Sequence, residues 1–240
     1  MAGGGIDEAA ISGISNNNEN SLLKIGRYES FRKHSHVQIF LKRMVDIIIS
    51  ICLLVLVLPL MLVLGLLIKI DSPGPVLFTD CRLGWYGAVF SCYKLRTMYL
   101  ENVDMLQKHW QSNPECKEEW KRYRKLKRDD PRVTRCGKWL RKSSLDELPQ
   151  LFNVLKGEMS LVGPRPYLLA EQAALGQFAD IILSVYPGVT GLWQVSGRNE
   201  LDFKERLQID VKYVHQRSCW MDTWILLRTI IAVISRKGAY

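Results

Sequence analysis

The chain has 240 residues, 48% of them apolar and 24% charged, and a formal net charge of +9. These fractions are close to globular averages, which excludes a wholly disordered chain or a collagen-like repeat and predicts one domain, with at most an appendage. The six cysteines include no C-x-x-C pair and the four histidines add no metal-ligand spacing, so neither a zinc site nor a disulfide framework is expected.

Two segments precede the predicted globular part. Residues 1–35 predict a disordered tail, because they begin with Gly-, Ala-, Ser- and Asn-rich sequence and no apolar stretch follows Met1, as a signal peptide would require. Residues 36–70 are predicted to enter a membrane. Within them, Ile47–Ile68 has 19 apolar residues among 22, and a continuous helix of this length would be about 33 Å long, enough to cross a bilayer core.

The apolar stretch has a proline at its centre and basic residues on both sides. Pro59 removes a backbone donor and kinks a helix. Lys42 and Arg43 precede the stretch and Lys69 follows it, so the positive-inside bias draws both ends to the cytoplasmic face. A re-entrant helix hairpin broken at Pro59 satisfies both observations and is the preferred prediction. A kinked span and the buried helix of a soluble protein are the alternatives.

Residues 71–240 predict an α+β domain that is mostly helical. Short apolar segments on either side of Gly84–Gly87 predict a β-hairpin. The Gly- and Pro-rich segments over 163–166 and 187–197 predict loops. Helices are predicted over Glu101–Lys127, over Cys136–Lys142, and in the segment that ends at Lys156, where Gly157 is the expected terminating residue.

A further helix is predicted over Trp220–Ile234. It places Trp224, Leu227, Ile231 and Ile234 on one stripe, with basic residues nearby. This pattern predicts a helix that lies at the membrane interface. Packing of the same stripe in the protein core is the alternative.

The positive charge is concentrated in one block, Lys117–Lys142, which has twelve basic and four acidic residues. Such a block indicates an anionic partner, such as lipid head groups, nucleic acid or a phosphorylated substrate, and a solvated helix face is the alternative. Trp120, Tyr123 and Trp139 interleave with the block as stacking platforms would. A nucleic-acid binder leaves the apolar stretch unexplained, so no nucleic-acid partner is predicted.

Two adjacent carboxylates, Asp146 and Glu147, form the candidate catalytic centre. Ser144–Glu147 fits a capping box, which puts Asp146 near a helix N-terminus and could be purely structural. Cations on loops commonly hold a diphosphate, and a carboxylate pair among them could divide into a nucleophile that attacks phosphorus and a ligand for Mg²⁺. The cations in question are Lys94, Arg96, Arg132, Arg135, Arg141, Arg165 and Arg198.

Seven motifs follow one another along the chain. In this order they resemble the motifs of the bacterial sugar transferases, which are monotopic polyprenyl-phosphate phosphoglycosyl transferases, and the resemblance extends over Leu41–Tyr240. The motifs are Pro75–Phe78, Arg82-x-Gly84-x-x-Gly87, Tyr93–Met98, Asp130–Arg132, Ser144–Leu151, Leu161–Pro166 and Pro187–Arg198.

The resemblance implies an enzyme at the cytoplasmic face of the bacterial inner membrane, in contact with its lipid. It would transfer a hexose 1-phosphate from a UDP-sugar to undecaprenyl phosphate, the first membrane step of O-antigen, capsule or exopolysaccharide assembly. Asp146 would form a covalent phosphosugar intermediate and Glu147 would bind Mg²⁺. Lys94, Arg141 and Arg165 would surround the phosphates, with Asp222 as an additional acidic candidate.

The nature of the sugar and the assembly stay open at this stage. His109–Lys127 and Arg236–Tyr240 are most similar to the undecaprenyl-phosphate galactose phosphotransferases of the family, which favours galactose over glucose or an N-acetylated sugar. A homodimer is one option for the oligomeric state. A non-enzymatic membrane scaffold is the rival class, but it has no need for a carboxylate pair among arginines.

Overall fold

The computed structural model describes residues 36–100, 103–112, 115–116, 126, 130–197 and 201–235. The predicted tail, residues 117–125 and 127–129 of the basic block, and Arg198 lie outside the described residues. The described part is mostly helical and contains two small two-stranded sheets. This confirms the α+β, mostly helical class.

Helix α1, His36–Asp71, contains the whole apolar stretch and is long and apolar enough to cross a membrane. It is one continuous helix through Pro59, so the predicted break is not confirmed. A proline inside a helix removes one backbone hydrogen bond, but the residues on both sides of it keep their own helical hydrogen bonds. In a membrane those backbone groups would find no other partner if the helix were broken. The helix therefore continues across the proline.

The predicted β-hairpin is confirmed. Strands β1, Leu77–Leu83, and β2, Val89–Leu95, are antiparallel and are joined by a 3-10 turn, Trp85–Gly87. Leu77 lies opposite Leu95 at the open end, and this end of the hairpin follows directly on α1.

The rest of the domain consists of short helices and a second sheet. Strands β3, Ser160–Val162, and β4, Gly188–Thr190, pair in parallel. The helices are α2 Val103–Ser112, α3 Arg135–Ser143, α4 Gln150–Lys156, α5 Gln172–Leu175, α6 Ala179–Ile182, α7 Leu192–Ser196, α8 Phe203–Gln216 and α9 Cys219–Ser235.

Several sequence predictions for this region are confirmed and one is corrected. The helix that ends at Lys156 is α4, and Gly157 follows it with φ 84°. The segment over 187–197 is not simply a loop, because it contains β4 and α7. A Cβ at Gly188 would lie 2.1 Å from the backbone N of Gly163, so the glycines that suggested a loop instead let two backbone segments come together.

Both halves of α1 pack against this domain. Leu54 joins the main hydrophobic core, to which α4, β3 and α9 also contribute. Leu64 and Ile68 pack in a second cluster with residues of β2 and α3. Other side chains of the helix are highly exposed, including Leu56 at 75% and Leu62 at 70%. Helix α1 therefore has one face on the domain and a broad apolar face that is suited to lipid.

Helix α9 has two different faces, so both interpretations of its apolar stripe apply. Ile225 is fully buried in the core. Trp220 is 81% exposed, and Leu227 and Ile231 are each 59% exposed. An exposed apolar face of this kind, with a tryptophan at one end, is typical of a helix at a membrane interface.

Candidate active site

The carboxylate pair, Asp146 and Glu147, lies on a 3-10 turn between α3 and α4. The predicted capping box is wrong. Ser144 is the C-terminal cap of α3: it has a left-handed backbone, with φ 57°, and its backbone N–H donates to the carbonyl of Arg141 at 3.2 Å. Its side chain caps nothing. Helix α4 begins only after Pro149, so the pair occupies a tight turn of its own rather than the first turn of a helix.

Lys94, on β2, binds one carboxylate of the pair. Its Nζ donates to Oε1 of Glu147 at 2.7 Å, and the two side chains are 24% and 31% exposed. Burial alone would shift each pKa toward the neutral form, but the opposite charge outweighs it, so the pKa of Lys94 is raised and the pKa of Glu147 is lowered. Both groups are therefore ionised at neutral pH.

Asp146 is in a different state from its neighbour. It is 9% exposed, and the hydrogen bond that affects its pKa comes from its own backbone. Burial, and then the negative charge of Glu147, raise the pKa of Asp146 to about 6, although Lys94 and Arg141 act in the opposite direction. A carboxylate with this pKa is still ionised at neutral pH and is more basic than an exposed aspartate, which suits a nucleophile.

Arg141 reaches the pair from α3. Its Nε donates to Oγ1 of Thr97 at 2.9 Å, just beyond the end of β2. A Cβ at Gly137 would lie 2.1 Å from the carbonyl oxygen of Thr97, so only a glycine lets α3 come this close. The contact holds Arg141 where its charge lowers the pKa of Asp146.

Arg165 reaches the pair from the loop after β3, where its charge lowers the pKa of Glu147. The loop is held from α8 by Asp210, which is fully buried. Oδ2 of Asp210 accepts hydrogen bonds from the backbone N of Arg165 at 3.2 Å and from the hydroxyl of Tyr167 at 2.7 Å. Glu171 adds a longer ion pair to the guanidinium, at 3.8 Å.

Arg82 also belongs to the site, although the sequence placed it only in the Arg82-x-Gly84-x-x-Gly87 motif and predicted no role for it there. It lies on β1, and its charge lowers the pKa of Glu147. Its guanidinium donates to Asp80 at 2.8 Å and to the carbonyl of Pro166 at 3.0 Å, so it joins the hairpin to the Arg165 loop. The two-residue spacing of Asp80 and Arg82 on one strand was the signal that could have identified it.

Two other predicted cations are bound to protein groups. Arg96 is 3% exposed and donates to the backbone carbonyls of Ser72 and Pro73, at the end of α1. Arg132 makes a two-pronged ion pair with Asp130, at 2.8 and 2.6 Å. These contacts favour structural roles, so the proposed phosphate site below uses neither residue.

Asp222 lies in a separate polar cluster, which we call the anchor network. Lys42 of α1 donates to its Oδ2 at 2.6 Å, and the hydroxyl of Tyr213 donates to its Oδ1 at 2.8 Å. Asp46, one helical turn after Lys42, accepts hydrogen bonds from the hydroxyl of Ser160 at 2.7 Å and from the backbone N of Leu161 at 3.3 Å. The network consists of Lys42, Asp46, Ser160, Tyr213 and Asp222.

The carboxylate pair was also predicted to hold Mg²⁺. The described residues contain no group of three or more acidic, histidine or cysteine side chains that could hold a metal ion. Mg²⁺ at phosphate sites commonly takes only one or two carboxylates, together with the substrate phosphates and water. Because Lys94 binds only Oε1 of Glu147, the donor set fits an ion that arrives with a diphosphate.

Most of this chain is similar to proteins of one known family. The family model for bacterial sugar transferases matches residues 37–236. The undecaprenyl-phosphate galactose phosphotransferase of Salmonella typhimurium is 45% identical over 201 residues, which cover 84% of this chain and 42% of that protein. An exopolysaccharide production protein, ExoY, of Sinorhizobium fredii is 45% identical over 83% of this chain and 88% of its own length.

Another similar protein is named for a different sugar. The undecaprenyl-phosphate glucose phosphotransferase of Komagataeibacter xylinus is 39% identical over 83% of this chain and 37% of its own length. This chain therefore spans less than half of the length of the two phosphotransferases. The family match covers most of the chain, and on that ground the chain belongs to the bacterial sugar transferase family.

Proposed function

We propose that the protein transfers a hexose 1-phosphate, with galactose as the first candidate, from a UDP-sugar to undecaprenyl phosphate. The observation that carries the proposal is the buried Asp146, with its pKa raised to about 6 beside the ionised Lys94–Glu147 pair. The names of relatives support the acceptor and the sugar class. The same reaction would begin the assembly of an O-antigen, capsule or exopolysaccharide.

The reaction proceeds in two steps. A carboxylate oxygen of Asp146 attacks the phosphorus that bears the sugar, the bond from that phosphorus to the bridging oxygen breaks, and UMP leaves with the electron pair. An oxygen of undecaprenyl phosphate then attacks the same phosphorus. The bond to Asp146 breaks, which restores the carboxylate and releases undecaprenyl-diphospho-sugar.

The cations around the pair assist both steps. Lys94, Arg141, Arg165 and Arg82 would neutralise the phosphate oxygens before and during transfer, because all four act electrostatically on Asp146 or Glu147. Glu147 would hold Mg²⁺, which when bound offsets the charge of the donor diphosphate. The ion pair with Lys94 keeps Glu147 ionised for this role.

We also infer that α1 is re-entrant: it bends at Pro59 while its helical hydrogen bonding continues, so that both ends lie at the cytoplasmic face of the inner membrane. A straight crossing would separate the two ends by the hydrocarbon core, about 30 Å thick. Yet Lys42 near one end binds α9, and Asp71 at the other end accepts a hydrogen bond from the backbone N of Cys136 on α3. Contacts of both ends with one domain support a shared side.

Labelling of single cysteines tests this topology. In a background without native cysteines, Gln38→Cys and Pro73→Cys would be exposed to a membrane-impermeant maleimide in intact cells and in inside-out vesicles. We expect both to react only in the inside-out vesicles. Reaction of one position in intact cells would instead show that α1 spans the membrane.

The chemistry is tested by intact-mass measurement of the purified protein after incubation with a panel of UDP-sugars and no lipid. A phosphohexose adduct that appears together with UMP, and disappears when undecaprenyl phosphate is added, is the expected result. The sugar that gives the adduct identifies the donor. Absence of an adduct with every donor would contradict the covalent mechanism.

A further inference from the structure

An exposed aromatic residue lies directly beside the candidate active site. Phe78, on β1, is 50% exposed. It lies opposite Lys94 in the register of the hairpin. Directly opposed residues of an antiparallel pair project from the same face, with Cβ atoms about 5 Å apart. The ring of Phe78 is therefore next to the lysine that binds Glu147.

The same face of the hairpin is covered further along. Phe90 and Cys92 project from it and are buried in the main core, at 8% and 0% exposed. Phe78 lies at the end of this face where the hydrophobic core no longer buries it, opposite the lysine that binds Glu147. Removing apolar ring surface from water stabilises a protein by about 25 cal/mol per Å². The exposed half of the Phe78 ring gains this stabilisation only when a ligand covers it.

Phe78 is also close to the membrane helix along the chain. Val76, two residues earlier, has a methyl group 3.2 Å from where a Cβ on Gly65 of α1 would stand. The carbonyl of Val76 accepts the backbone N–H of Arg96 at 2.8 Å, which ties this end of the hairpin to the residue that binds the end of α1. Along the strand, Phe78 therefore lies between Val76, at the surface of α1, and Arg82, whose charge acts on Glu147.

We propose that Phe78 binds the first isoprene units of the polyprenyl phosphate acceptor; this inference rests on the proposed function. The acceptor has its chain in the bilayer, while its phosphate must reach Asp146. The isoprene units next to the phosphate must then leave the lipid and cross the surface on which Phe78 lies. Covering the ring with an isoprene unit removes apolar surface of both partners from water.

The two half-reactions separate this role from any role toward the donor. UMP release in the absence of lipid reports the first half-reaction, and transfer from the preformed adduct to undecaprenyl phosphate reports the second. In Phe78→Ala we expect the acceptor concentration for half-maximal transfer to rise about tenfold. UMP release from the UDP-sugar should stay within about twofold of the unmodified protein.

Two variants serve as controls. Phe78→Leu keeps an apolar side chain and should restore acceptor binding to within about threefold. Val89→Ala removes a side chain of similar exposure, 56%, at the other end of the same hairpin, and should change neither half-reaction.

The possible failures are distinguishable. Equal losses in both half-reactions of Phe78→Ala, or no loss in the second, would overturn the inference and leave the proposed function intact. Absence of UMP release from the unmodified protein with every UDP-sugar would overturn both.

Discussion

Among the residues that the structure describes, two short lysine–carboxylate pairs of nearly equal length have different surroundings. Lys94 and Glu147 are 2.7 Å apart in the candidate active site, and Lys42 and Asp222 are 2.6 Å apart in the anchor network. Both pairs join distant parts of the chain. From the sequence alone, both Glu147 and Asp222 were candidates for the same site.

The difference lies in the carboxylates around each pair. In the anchor network, both oxygens of Asp222 and both oxygens of Asp46 accept hydrogen bonds from other residues. In the active site, Asp146 stands beside the pair with only its own backbone as the hydrogen-bond donor that affects its pKa. Satisfied buried groups hold a structure together, whereas an under-satisfied one with a shifted pKa is suited to chemistry.

The largest expected effect comes from removing the nucleophile. Asp146→Asn should lower turnover by at least about 1,000-fold and abolish the phosphohexose adduct, because an amide cannot form the acyl phosphate. Asp222→Asn, in the anchor network, should still form the adduct. Measurement of adduct mass and of UMP release in both variants checks this. A normal adduct in Asp146→Asn would reverse the assignment of the two regions.

Replacing each lysine by methionine should change a different property: mainly the reaction rate for Lys94, and mainly the stability of the fold for Lys42. Lys94→Met removes a cation from the phosphate site and should slow the first half-reaction by about 100-fold. Lys42→Met leaves Oδ2 of Asp222 without its donor and should lower the free energy of unfolding by about 1–2 kcal/mol, with a smaller effect on rate.

Thermal melting in detergent and single-turnover UMP release would be measured for both methionine variants. Equal effects of the two variants on rate would show that the anchor network is part of the active site. Equal effects on melting would show that Lys94 is mainly structural.

The pH dependence of the first half-reaction should report Asp146. Because the attacking carboxylate must be ionised and its pKa is raised to about 6, the single-turnover rate should increase as the pH rises through about 6 and then level off. Lys94→Met should move this limb to higher pH, since the positive charge of Lys94 lowers the pKa of Asp146. A limb near pH 4 in the unmodified protein would contradict the buried environment of Asp146.

Local sequence patterns were sufficient to predict much of the fold. The hairpin around Gly84–Gly87 and the end of α4 at Gly157 were predicted correctly, and so was the helical state of the apolar stretch, though not its continuity through Pro59, because each depends on residues that are neighbours in sequence. The parallel pairing of β3 with β4 was not predicted, since each strand has three residues and its partner lies 28 positions away.

The active site was predictable in composition but not in arrangement. The resemblance predicted Asp146, Glu147, Lys94, Arg141 and Arg165 as site residues, and the structure brings the three cations within electrostatic reach of the carboxylate pair. No local pattern could show that the Arg96 guanidinium binds the carbonyls at the end of α1, or that Asp222 binds Lys42. These are contacts between segments that only the folded chain brings together.

Asp210 is a third carboxylate, and it tests whether a buried acid without a full set of hydrogen-bond partners must be catalytic. Asp210 is fully buried, yet its Oδ1 has no hydrogen-bond partner among the described residues. Burial raises the pKa of Asp210 to about 7 even though Tyr167 and Arg165 donate to its other oxygen. It lies behind Arg165 rather than beside Asp146, so we expect its titration to affect stability and not the covalent step.

The sign of that effect follows from proton binding. Between about pH 4 and pH 7 the folded protein holds a proton on Asp210 that the unfolded chain releases, so the stability from this group is greatest at low pH and is lost as the pH rises through about 7. Asp210→Asn removes this dependence. The melting temperature of Asp210→Asn minus that of the unmodified protein should therefore increase by a few degrees from pH 5 to pH 8. Asp202→Asn, at the N-cap of the same helix, is the control, and its difference in melting temperature should stay nearly constant. A constant difference for Asp210→Asn as well would mean that this carboxylate keeps one protonation state from pH 5 to pH 8, which would contradict a pKa raised to about 7.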